Sequence, residues 1–95
     1  MYEVGQVIAR RMTAGSPEHV KHIRELQWMS SNNGLVWYNR EAMVRKVDGT
    51  SAGTLFTHVG NYKANLYTVR RNGESWVQTE PDETKKDNLL YLPLD

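Results

Sequence analysis

Apolar positions recur along this chain in short stretches of period two, interrupted by one stretch of helical period. Tyr2 to Arg11 alternates loosely, with Val4, Gln6 and Ile8 on one side and Glu3, Gly5, Val7 and Ala9 on the other. Its β-branched content predicts a strand. Thr13-Ala14-Gly15-Ser16-Pro17 then turns the chain. Residues 18–29 carry two signals. Ser16-Pro17-Glu18 resembles a helix start, yet Val20, His22, Arg24, Leu26 and Trp28 alternate with Lys21, Ile23, Glu25 and Gln27. Ile23 and Trp28 suit a strand, so the segment is read as a short turn and then a strand over 20–29. Ser30-Ser31-Asn32-Asn33-Gly34 comes next as a polar loop.

Asn39-Arg40-Glu41-Ala42 opens the one clear helix. Asn39 is an N-cap residue, and Glu41 sits in the first turn, where the macrodipole favours an acid. Met43, Val44 and Val47 make a narrow apolar stripe, and Asp48-Gly49 stops the helix, with Gly49 expected as a left-handed cap. Alternation returns with a short strand over 54–58. Two further strands over 64–71 and 74–79 flank Asn72-Gly73, a strong signal for a type I′ hairpin. A two-residue loop sets Arg71 opposite Glu74, Val69 opposite Trp76 and Tyr67 opposite Gln78. The face carrying Tyr67, Val69 and Trp76 is expected to be the core side.

The order β-β-α-β-β-β predicts a single small α+β domain over residues 1–95: a mostly antiparallel sheet of four to five strands with one short helix. Residues 80–95 read as an acidic turn and a C-terminal docking segment. Asp82 or Thr84 is expected to bond turn amides, and Asp87 or Asn88 to cap the leucine-rich run after them. That run, Asn88-Leu89-Leu90-Tyr91-Leu92-Pro93-Leu94, is too apolar to leave in water.

Composition narrows the functional classes. Ninety-five residues support one modest core and are too few for the large α/β enzyme scaffolds. The absence of cysteine removes disulfides, thiol nucleophiles and Cys-ligated metals. The formal net charge of +1 hides an asymmetry. The tail sets Glu80, Asp82, Glu83, Asp87 and Asp95 against Lys85 and Lys86, whereas the body is mildly basic. No secretory leader and no bilayer-spanning run is expected, so the predicted location is cytoplasmic and no membrane partner is foreseen.

Catalytic and metal constellations are weak. His19 and His22 could share a metal with Glu18 or Glu25 on a helix but point apart on a strand, so no metal or other cofactor is expected. The acids at 80–87 lack the spacing of a calcium loop, and neither a serine elbow nor a phosphate-binding glycine loop is present, so no catalytic residue is assigned and no enzyme is expected.

Binding is the better-supported class. Trp28, Trp37 and Tyr38 flank the polar loop, and all three are hard to bury in so small a core. With Arg40 they are the candidate partner-binding residues, since Trp, Tyr and Arg are typical hot-spot types. The alternative is a nucleic-acid surface built from Arg10, Arg11, Arg45, Lys46, Tyr62, Lys63, Arg70 and Arg71, where cations and aromatics interleave.

The ending is the most distinctive pattern. Trp76-Val77-Gln78-Thr79-Glu80-Pro81-Asp82, then Thr84, then Asp87-Asn88-Leu89-Leu90-Tyr91-Leu92-Pro93, resembles the close of the family of small bacterial and phage proteins known as domain of unknown function 3892. The stretch His19 to Ile23, and Trp37 ahead of Asn39-Arg40-Glu41-Ala42, are similar to it as well. The Ser30–Val36 segment looks inserted relative to that family. The resemblance implies a shared fold and a bacterial or phage origin, and it brings no catalytic residues. The expected protein is a non-catalytic binding or regulatory module acting through a protein partner, with a phage or mobile-element origin and a homodimer both open to it.

Overall fold

The computed structural model describes residues 2–17, 19–60, 62–80 and 87–95. Six strands form two three-stranded antiparallel sheets, ordered β1-β2-β3 and β4-β5-β6. β1 is Val7–Met12, β2 Ile23–Ser30 and β3 Gly34–Asn39. α1 spans Arg40–Asp48, and β4 (Phe56–Val59), β5 (Tyr62–Arg71) and β6 (Glu74–Thr79) come after it. Two 3-10 turns, Val20–His22 and Asn88–Tyr91, complete the described elements. The domain is therefore α+β, with one strand more than the sequence pattern predicts.

The extra strand is β3. It pairs with β2 in unbroken register from Glu25↔Asn39 to Ser30↔Gly34. Leu35, Val36, Trp37 and Tyr38 are apolar or aromatic at every position, so no alternation announces the strand. Residues 30–36 thus form the turn of a β2–β3 hairpin and the start of its second strand. The turn is held by the Ser30 hydroxyl, which donates to the Gly34 carbonyl at 2.8 Å and accepts the Asn33 amide at 3.0 Å.

The first strand begins later than expected. Gly5 adopts φ +92°, where a Cβ would lie 2.0 Å from the Thr54 carbonyl oxygen. That close approach ties the two sheets: the Gly5 amide donates to Met29 O and its carbonyl accepts the Phe56 amide. A register shift between Val7 and Ala9 then breaks the expected two-sided alternation of β1.

The α1 N-terminus matches its sequence signals closely. The Asn39 side chain accepts the Ala42 amide at 2.8 Å, and Met43 and Val44 are buried. Gly49 ends the helix at φ −88° rather than in the left-handed region. Its amide reaches the Arg45 carbonyl, and the Thr50 hydroxyl donates to Lys46 O, so the last carbonyls are satisfied without a left-handed cap. The β5–β6 hairpin has the expected register throughout, with Asn72 and Gly73 both at positive φ.

The expectation of a single core face on that hairpin does not hold. Trp76 is buried on one side, while Leu66, Val77 and Thr79 are buried on the other. β6 touches α1 and both 3-10 turns, so each face of the hairpin is covered. One cluster joins Val7, Leu26 and Trp28 of the first sheet to Met43, Leu66, Val77 and Leu89.

The C-terminal residues run along β1. The Arg10 amide donates to Pro93 O, and the Asp95 amide to Arg10 O. Asp87 anchors the start of this segment: its carboxylate accepts the Thr79 amide and hydroxyl and the Leu89 amide at 2.8–2.9 Å. Asp82 and Thr84, expected to bond turn amides, lie outside the described residues.

Candidate functional site

The first sheet has a core face and an outer face, set by register. Val7, Trp28 and Val36 share a row on the core side, as do Arg10, Leu26 and Tyr38. The outer face carries the alternate rows: Ala9, Gln27 and Trp37; Arg11, Glu25 and Asn39; and Met29 with Leu35. Met29, Leu35 and Trp37 lie outside the core cluster, and Leu35 is 42% exposed.

This parity separates the aromatic residues of the loop region. Trp28 is 5% exposed and belongs to the core, and what remains open of it lines, with Tyr38 and Ser30, a groove of about 450 Å³. Its ring meets Tyr38 edge-on at 5.2 Å, and Lys46 Nζ sits 5.3 Å from its centroid. Tyr38 is half-buried against the same cluster. Three of the four candidate partner residues are thus occupied inside the fold or at its seams, since Arg40, though exposed, donates to the Lys21 carbonyl at 2.7 Å and ties α1 to the first 3-10 turn. Trp37 is the exception: half-buried, on the outer face, one position out of phase with Trp28's row.

Arg11 lies over Trp37 with its guanidinium carbon 3.8 Å from the ring centroid. Arg11 also donates to Asp95 at 2.8 Å and to Glu25 at 3.4 Å. The hydrogen bond to the Asp95 carboxylate, aided by Glu25, holds the guanidinium pKa above its ordinary value against an opposing effect of desolvation. The outer face therefore sets Met29, Leu35, Trp37 and Ala9 around the single amide of Gln27, with Arg11 between Glu25 and Asp95 at one end.

The cations expected to bind nucleic acid do not gather on one face. Arg10 is only 6% exposed and donates to the Leu92 carbonyl at 3.2 Å and the Leu90 carbonyl at 3.0 Å. It is a structural latch for the C-terminal segment, and burial removes it from any phosphate-binding surface. Arg11 is held by Asp95 and Glu25. Arg70 pairs with Asp48, and Lys63 pairs with Glu3 at 3.8 Å while lying over the Phe56 ring. Arg40 and Arg45 border a groove of about 420 Å³ together with Glu41 and Glu74, so its charge is mixed. Arg71 and Tyr62 are exposed at β5, at opposite ends of that strand.

His19 caps the first 3-10 turn by accepting the Lys21 amide on Nδ1, and its ring stacks edge-on with those of His22 and Trp76. Among the described residues no group of three or more His, Cys, Asp or Glu side chains is placed to hold a metal, and no helix is long and apolar enough to cross a membrane.

The signal missed in the sequence is parity. Trp28 and Trp37 look equivalent beside the loop, and only the β2–β3 register, Trp28↔Val36 and Gln27↔Trp37, puts one inside and one outside.

A compact α+β domain in which, among the described residues, one face of the first sheet lies outside the core cluster is the class this geometry defines. The chain belongs to the family described as protein of unknown function DUF3892, whose model matches residues 6–93. No curated protein and no solved structure matches it.

Proposed function

We propose that this chain is a small non-catalytic binding module, of bacterial or phage origin and cytoplasmic, that docks a protein partner on the outer face of its first sheet. The observation that carries the reading is the position of Trp37. A tryptophan on an edge strand, flanked by Leu35 and Met29 and left out of the core, gives an apolar centre. Arg11, set between Glu25 and Asp95, supplies a charged border with one cation shared by two acids. An apolar centre with a polar rim is the anatomy of a protein interface, and Trp paired with Arg is the typical hot-spot composition. The nucleic-acid alternative draws no comparable support, because its cations are spread over several faces and most already face an acid or a carbonyl.

The test is capture from the source organism with the wild-type chain and with Trp37→Ser. The partner retained by the wild type should be lost by the variant, while the far-ultraviolet circular dichroism of the two stays the same. Equal recovery with both chains would remove Trp37 from the interface and the reading with it.

A further inference from the structure

We infer that β3 is a self-pairing edge, through which two copies of this chain join antiparallel into one six-stranded sheet. β3 ends the order β1-β2-β3, and among the described residues no other segment hydrogen-bonds to the outer side of its backbone. The opposite edge differs: β1 is bridged to Leu94 at Arg10, and Gln6 just ahead of it is bridged to Phe56. Exposed edges are ordinarily guarded by charges, proline or bulges. Gly34–Asn39 contains no charged residue and no proline, and its register with β2 is unbroken, whereas the β1–β2 ladder is shifted twice. It is a neutral strand in continuous register, without charge, proline or bulge to guard it.

The sequence of the edge is self-complementary in one register. A two-fold axis perpendicular to the sheet maps each face onto itself, so opposed residues must share parity. Centring the axis on Val36 sets Leu35 against Trp37 of the partner subunit, and Trp37 against Leu35 of the partner subunit. Both pairs lie on the outer face, where aromatic–aliphatic cross-strand contacts are favourable. Val36 meets its own equivalent, and Gly34 leaves room for the ring of Tyr38. The pairing brings no like charges together. That symmetry selects a second copy over an unrelated strand. Pairing also leaves the proposed docking face open and doubles it, so it goes beyond that reading without being required by it.

Sedimentation equilibrium of the whole chain tests this from micromolar to millimolar concentration. The mass should rise with concentration from 11.0 kDa towards twice that value. Leu35→Lys, at an exposed position, should keep the native circular dichroism and weaken association by about tenfold or more, since both Leu–Trp contacts are lost and the edge gains the lysine that ordinarily guards exposed strands. Amide exchange in residues 35–38 should slow as wild-type concentration rises. A mass fixed at 11.0 kDa up to millimolar concentration, or association unchanged in the lysine variant, would overturn the inference. A monomer that still captures its protein partner through Trp37 would overturn self-pairing alone and leave the docking face standing.

Discussion

Replacing Arg10 by methionine removes a guanidinium that holds the end of the chain from the middle of β1. Arg10 is 6% exposed, and its Nε and Nη2 donate to the carbonyls of Leu92 and Leu90. Hydrogen bonds from a charged donor contribute about 1.5–3 kcal/mol each. Their loss strands the carbonyl of Leu92, a residue only 7% exposed, and that of the half-buried Leu90. Removing the buried charge returns part of this, because the guanidinium no longer has to shed its water. Methionine keeps most of the volume, so the cavity contribution is small. The net expectation is a loss of about 3 kcal/mol. For a domain of this size that lowers the melting temperature by roughly 12–24 °C. Urea unfolding measures the free energy, and limited proteolysis shows whether cleavage concentrates in residues 88–94, as release of the segment requires. Arg10→Lys should fall between, since a single ammonium does not reproduce the forked donation. An Arg10→Met variant within about 0.5 kcal/mol of wild type, the range of an ordinary surface change, would refute the latch.

Two further substitutions probe the joints that place the sheets. Gly5→Ala puts a Cβ against the Thr54 carbonyl oxygen at positive φ, so it should cost more than about 2 kcal/mol in chemical denaturation. Asp87→Ala removes the acceptor for the Thr79 amide and hydroxyl and for the Leu89 amide, and should cost about 2–3 kcal/mol. Faster amide exchange at Leu89 and Leu90 is the accompanying sign.

Where local chemistry decides a structure, the sequence is legible. Asn72-Gly73 dictates a two-residue turn, and that turn fixes every pair of the β5–β6 register. Asn39 begins α1 because its side chain can take the Ala42 amide, a contact three residues away. Features set by partners distant along the chain are not legible in this way. Gly5 needs its positive φ because of Thr54. Arg10 is buried because carbonyls 80 and 82 residues later receive it. β3 is hard to see because it is apolar on both faces, one facing the core and the other facing water, so its pattern looks like neither a half-buried strand nor a loop. The same blindness merges Trp28 with Trp37. Of the candidate partner residues, Trp37 is visible as a type and its setting is not, because the Leu35 and Met29 that surround it become neighbours only through the β2–β3 pairing.

The outer face can be interrogated from its centre. Gln27 lies on the middle strand between Ala9 and Trp37 and is half-buried. A photo-activated cross-linking residue placed there, in the source cell, should yield one discrete adduct with a different protein, suppressed when Trp37→Ser is added. The same group at the exposed Arg71, on the other sheet, should yield none. No adduct from position 27, or equal adducts from both positions, would contradict the assignment of this face as the docking surface.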